Sequence, residues 1–157
     1  KEELKQNLQK LTNKTNYYIS EYINKAKEFR IFFIQGKVVW IAEKIPKHIT
    51  DIAWNVAQGG KFINVPWKQW DINLINDAYK IYNLSKLWLG GVDIIQDGHN
   101  NFIIEINSAP SQTSPYRQQC FAKALNWSIE NTYDHLQQNE NYKKYSRWIH
   151  PGLKNNE

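Results

Sequence analysis

Hydrophobic positions along this chain change period several times, and each change marks an element. Leu4, Leu8 and Leu11 recur at helical spacing among Lys, Glu and Gln, which predicts a short amphipathic helix over residues 2–12. The run from Tyr17 to Ile23 is aromatic and β-branched and reads as a strand, broken by Asn24-Lys25-Ala26-Lys27. Residues 28–34 and 37–44 predict two strands joined at Gln35-Gly36, a hairpin that ends at Pro46 because proline cannot donate to a ladder. Gly59-Gly60 predicts a turn before a short strand over 61–65. Ile72, Ile75, Ala78, Tyr79 and Tyr82 then share one helical face, with Asp71 placed to cap it. After Gly90-Gly91 come a strand over 92–96, a turn over Asp97-Gly98-His99-Asn100 and a strand over 101–107. Ser114-Pro115 opens a helix running to about Leu136, and residues 137–157 read as a polar tail. Hairpins outnumber βαβ crossovers, so the expected class is α+β, a mainly antiparallel sheet flanked by helices.

Composition narrows the choices without deciding them. The 157 residues suffice for one sizeable core, and the folded domain is expected to occupy 1–136. A net charge of +5, with Lys and Arg scattered, suits anionic ligands and argues against nucleic acid as a partner. The single Cys120 excludes an intrachain disulfide framework. No long apolar run or leader pattern is seen, so a cytoplasmic, non-membrane protein is expected. The four histidines have no metal-ligand spacing, and His99 reads as a turn residue. Homo-oligomerisation is left open.

The chemistry concentrates in the last hairpin. With period-two alternation, Phe102, Ile104 and Ile106 should face a core while Glu105 and Asn107 share the other face. If the turn centres on His99, Asp93 lies opposite Glu105. Two carboxylates in that position repel unless a cation or a proton lies between them. Oxygen donors without nitrogen or sulfur select a hard cation, Mg²⁺ or Mn²⁺. The alternative is a solvated strand face with two ordinary acids.

Gly90-Gly91-Val92-Asp93-Ile94-Ile95, followed by Ile104-Glu105-Ile106-Asn107-Ser108-Ala109-Pro110, resembles the metal-binding end of the ATP-grasp superfamily. That superfamily includes D-alanine–D-alanine ligase, glutathione synthetase and the ribosomal-protein glutamate ligases. Tyr18 to Ile23 and Glu28-Phe29-Arg30-Ile31 look like its hinge strand and the strand that follows. Trp54-Asn55 before Gly59-Gly60 resembles its Asn- and Gly-rich stretch.

The resemblance implies a C-terminal lobe that binds ATP and Mg²⁺ and joins a carboxylate to an amine, on small-molecule or peptide substrates, through an acyl phosphate. It implies Asp93, Glu105 and Asn107 as metal ligands. The backbone around Glu21, Tyr22 and Ile23 would pair with adenine, and Glu28 would accept from ribose. Asn55 would lie near the phosphates. Arg30 would face phosphate or acyl-phosphate oxygens, and Lys44 would serve similarly. The simpler roles are a structural arginine paired with a neighbouring acid and a snorkelling edge lysine. Ser111 and Ser114 sit where the family contacts the acceptor, although Ser114 also reads as a helix cap.

Two departures from the family pattern matter. Gly91 stands where D-alanine–D-alanine ligase has an arginine, which points toward the glutamate-ligase type. The family's phosphate-binding lysines and glycine-rich lid precede the hinge strand, so the N-terminal nucleotide-binding half is expected to be missing and the isolated chain inactive. Two other readings remain at this stage. One is a non-catalytic binding module of the same fold. The other is a Mg²⁺-dependent nuclease with Asp and Glu-x-Lys on a hairpin, although Asn107 stands where its lysine would be.

Overall fold

In the computed structural model, residues 2–10, 20–54, 56–131 and 148–153 are described. Helix α1 spans Glu2–Gln9. The strands are β1 (Lys27–Ile34), β2 (Lys37–Ile45), β3 (Lys61–Asn64), β4 (Leu89–Gln96) and β5 (Asn101–Asn107). Two further helices are α2 (Ile72–Ser85) and α3 (Pro115–Glu130). The sheet order is β3-β2-β1-β4-β5, and every adjacent pair is antiparallel. The α+β expectation holds.

The β1–β2 hairpin closes where expected. Gln35 and Gly36 both take positive φ, 48° and 74°, which is what a two-residue turn matched to strand twist requires. Val39 is an extra residue in β2, since Phe32 pairs with Trp40 and Phe33 with Val38.

The sheet has two differently used faces. Phe29, Ile31 and Phe33 of β1, with Val38, Ile41, Val92 and Ile94, pack against Trp70, Leu74, Ile75, Ala78 and Tyr82 on the α2 side. Asp71 caps α2 by accepting from the Asn73 backbone N–H at 2.8 Å. On the opposite face Phe32, Ile34, Val39, Trp40 and Ala42 pack against Cys120 and Ala124 of α3. By strand alternation this second face also carries Glu28, Arg30, Lys44 and Asp93, beyond the end of the apolar contact with α3.

Residues 148–153 return to the sheet. Val38 N–H donates to the Trp148 carbonyl (2.6 Å) and His150 N–H to the Val38 carbonyl (2.8 Å). Gly152 N–H donates to His150 Nδ1 at 3.2 Å, so Nε2 carries the proton that it gives to Ser128 Oγ, 3.0 Å away on α3. Burial holds this imidazole's pKa down at about 4, helped by Lys37.

Three local expectations change. The strand expected over 17–23 does not form over its described part: residues 20–25 are irregular. No described strand pairs with them, and a strand lasts only while its backbone has a ladder partner; the first bond to β4 is Ala26 N–H to the Gln96 carbonyl. Residues 17–19 lie outside the described residues. Strand β4 begins earlier than expected and includes Gly90 and Gly91. Finally, Phe102, which pairs with Ile95 on the other face of the sheet, and Ile104, which is 46% exposed, do not face the α2-side core, while Ile103 and Ile106 pack there.

Candidate functional site

Ile104 is displaced because it is a bulge. From the turn, Gln96 pairs with Asn101 and Ile94 with Ile103, yet Asp93 pairs with Glu105. Ile104 is therefore squeezed out of the ladder, and beyond it Glu105 and Asn107 swing onto the face of Asp93 and Gly91. The expected pairing of Asp93 with Glu105 is found, reached by a tighter turn plus a bulge. Asn107 Nδ2 donates to Glu105 Oε1 at 2.7 Å.

Arg30 faces Asp93 from the neighbouring strand, with which it is in register. Its Nε donates to Asp93 Oδ1 (2.6 Å) and a terminal nitrogen to Oδ2 (2.7 Å). The same nitrogen lies 3.7 Å from Glu105 Oε1. Lys44 bridges on the other side, donating to Asp93 Oδ2 and to Glu28 Oε1, both at 2.6 Å. Lys25 takes the second Glu28 oxygen. The result is a row of alternating charge: Lys25, Glu28, Lys44, Asp93, Arg30, Glu105. Its formal charges cancel, and this allows an aspartate only 1% exposed to stay ionised.

Burial alone would raise the Asp93 pKa, but the hydrogen bond from Arg30 and the charges of Lys44 and Arg30 outweigh it, so the net shift is downward. For Arg30, burial lowers the pKa, while the hydrogen bond and charge of Asp93, with Glu105 and Glu28, win and raise it. Glu105, by contrast, has a side chain 53% exposed and open to a ligand.

The site has an aromatic floor that pattern reading did not single out. The Phe62 ring of β3 has Arg30, Arg117 and Lys44 over it, 5.3, 5.1 and 5.8 Å from its centre. Arg117 also lies over Trp40 at 5.4 Å. Trp40 Nε1 donates to Gln112 Oε1 at 3.2 Å and so ties the loop after β5 to β2. Gly91 makes room for that loop: a Cβ there would lie 3.2 Å from Pro110 side-chain carbons and 3.5 Å from Arg30 Cδ. The signal available for Arg117 was an arginine two places inside a helix start, on the stripe it shares with Cys120, Ala124 and Ser128.

The remaining candidates fall as follows. Glu28 and Lys44 are buried and bound to each other, so Lys44 is no snorkelling edge lysine. Glu21 and Tyr22 are exposed and Ile23 half-buried, in the irregular segment that precedes β1. Ser111 is exposed in the loop. Ser114 precedes α3, but its hydroxyl makes no capping bond. Asn55 lies outside the described residues. Cys120 is buried, and burial raises its pKa, as expected for an inert thiol. Among the described residues no helix is long and apolar enough to cross a membrane, and no cluster of three His, Cys, Asp or Glu side chains forms.

A family model, the RimK-like ATP-grasp domain, matches residues 1–124. The chain belongs to this family. Within the RimK-like ATP-grasp domain, the Asp93–Glu105–Asn107 face and the Glu28-x-Arg30 strand both fall inside the matched stretch. The match gives no support to the nuclease alternative. Among curated proteins, the chain is 31% identical over 97 residues to the probable alpha-L-glutamate ligase of Legionella pneumophila strains Corby and Paris. The alignments cover 60% of this chain and 31% of each relative, so the chain spans about a third of their length. Among solved structures it resembles the ATP-grasp ligase PsnB complexed with a phosphomimetic variant of its minimal precursor, Mg and ADP. There the TM-score is 0.45 at 14% identity, covering 61% of this chain and 32% of that one. PsnB complexed with its minimal precursor gives 0.44 at 15% identity, with the same coverage. Likeness this low carries no inference about function.

Proposed function

We infer that this chain supplies the metal- and phosphate-facing lobe of a cytoplasmic, ATP-dependent carboxylate–amine ligase working through an acyl phosphate. One arrangement supports it most: Asp93 faces Glu105 across neighbouring strands, with Asn107 beside Glu105 and Arg30 reaching both carboxylates.

The donor set fits a hard divalent cation. All three side chains offer oxygen, Glu105 is exposed, and Asn107 turns its amide nitrogen to Glu105 and so leaves its oxygen uncommitted. Asp93 Oδ1 receives one hydrogen bond, from Arg30, and retains a second lone pair. Bound Mg²⁺ would neutralise phosphate oxygens during transfer. The chain's own part is orientation. Arg30 and Lys44 hold Asp93 ionised, and the Arg30 edge nearest Glu105 offers donors to acyl-phosphate oxygens. In this reading the backbone of Glu21, Tyr22 and Ile23 meets adenine, and Asn55 the phosphates. Glu28 turns to ribose once released by Lys25, and Ser111 and Ser114 line the acceptor side. The substrates are a carboxylate and an amine, small or peptidic, and the glutamate-ligase relatives favour an acidic one.

A second reading, a non-catalytic binding module, is favoured by one observation: the oxygens of Glu28 and Asp93 are already engaged by cations. Calorimetric titration of ATP into the chain, with and without Mg²⁺, tests the ligand-binding core of the proposal. Binding should require Mg²⁺, and Glu105→Gln should weaken it roughly tenfold or more with the circular dichroism unchanged. Equal affinity without the metal, or an unaffected Glu105→Gln, would sink the ligase proposal and leave the module.

A further inference from the structure

Arg117 is the odd cation of this face. It is 6% exposed, and its Nε is buried with no hydrogen-bond partner among the described residues. No described Asp or Glu forms an ion pair with it, whereas Arg30, Lys44 and Lys25 are each matched by an acid. A buried, unpaired guanidinium is costly, and proteins keep one where a ligand completes it. Burial, and then the charge of Arg30, lower its pKa, so its surroundings repel positive charge without supplying a negative one.

Its mounting is firm. The guanidinium lies over the Trp40 and Phe62 rings, and Trp40 is itself held to the loop by Gln112. An aromatic ring attracts the guanidinium's charge but does not take up its N–H donors as a carboxylate does, so those donors remain for an acceptor. The neighbouring row is already neutral, so a single positive charge is left uncompensated, and a monoanion balances it. A flat carboxylate meets both conditions: it takes two parallel N–H donors from one guanidinium edge, as Asp93 does from Arg30.

We propose that Arg117 is the receptor for a carboxylate of the ligase's acidic substrate, the group that is recognised rather than activated. This deepens the ligase reading and rests on it for the word substrate. It makes Arg117 a specificity residue, placed next to the phosphate-facing Arg30 through their shared Phe62 ring.

The experiment is calorimetric titration of the chain with L-glutamate, with inorganic phosphate and, separately, with Mg²⁺–ATP. Glutamate should bind, and Arg117→Gln should weaken it by about tenfold or more, as loss of a charged hydrogen bond implies. Arg117→Lys, which keeps the charge and loses the fork, should fall between. If Arg117→Gln does not fold by circular dichroism, the Arg117→Lys titration decides. Glutamate binding that is absent, or unchanged in a folded variant, overturns the proposal. Phosphate binding through Arg117 in preference to glutamate overturns it too and makes the site a phosphoryl one. Glutamate bound without Mg²⁺–ATP would leave the receptor standing and remove the ligase reading. Mg²⁺–ATP bound without glutamate would do the reverse.

Discussion

Arg30 grips Asp93 along one guanidinium edge, Nε to Oδ1 and a terminal nitrogen to Oδ2, and the same terminal nitrogen reaches within 3.7 Å of Glu105. The carboxylate is buried and the guanidinium nearly so, and this makes the pair both an electrostatic device and a structural one.

Removing the carboxylate leaves two cations facing each other in the sheet. Asp93→Asn is expected to destabilise the chain by about 3 kcal/mol at pH 7, the cost of leaving a buried charge unpaired. The sign with pH follows from the depressed pKa: the ion pair contributes fully above the ordinary carboxylate range and is lost as pH falls through the folded value. Urea unfolding of both proteins should therefore show the gap shrinking below about pH 4. A gap independent of pH would mean that the charge on Asp93 does not stabilise the fold.

His150 should give a separate titration. Its folded pKa of about 4 lies below the ordinary value, so the unfolded chain binds the proton first. Stability is then full above about pH 6.5 and falls as pH drops toward 4, by up to roughly 3 kcal/mol. Urea midpoints at pH 7.5 and 5, compared between the parent chain and His150→Gln, measure it. A variant with the same pH slope as the parent would refute the assignment.

Gly91→Ala tests the crossing of the post-β5 loop over the sheet. The added methyl would press on the Pro110 ring, 3.2 Å away, while meeting the stem of Arg30 at ordinary contact distance, and overpacking of this kind costs about 1–3 kcal/mol. A midpoint equal to that of the parent would show that the loop yields without cost.

Much of this was legible beforehand. The Gln35-Gly36 turn, the Asp71 cap and the Ser114-Pro115 helix start depend on backbone requirements of neighbouring residues, and each appears where the local pattern put it. The opposed Asp93 and Glu105 were also legible, although through a symmetric turn that the chain does not use. The bulge at Ile104 was not, because local alternation carries no mark of one residue slipping from a ladder.

Alone, the sequence determined which residues could be strands, helices and turns, that two acids lie on the last hairpin, and that Arg30 and Lys44 lie on the first. It did so because those choices rest on neighbours within a few positions. Tertiary structure decided the rest. The β2-β1-β4 order brings Lys44, Arg30 and Asp93 side by side from three separate strands. The packing of α3 carries Arg117 over Phe62 and Trp40. Charge pairing acts through space, so which cation is matched and which is left over appears only once the strands have met.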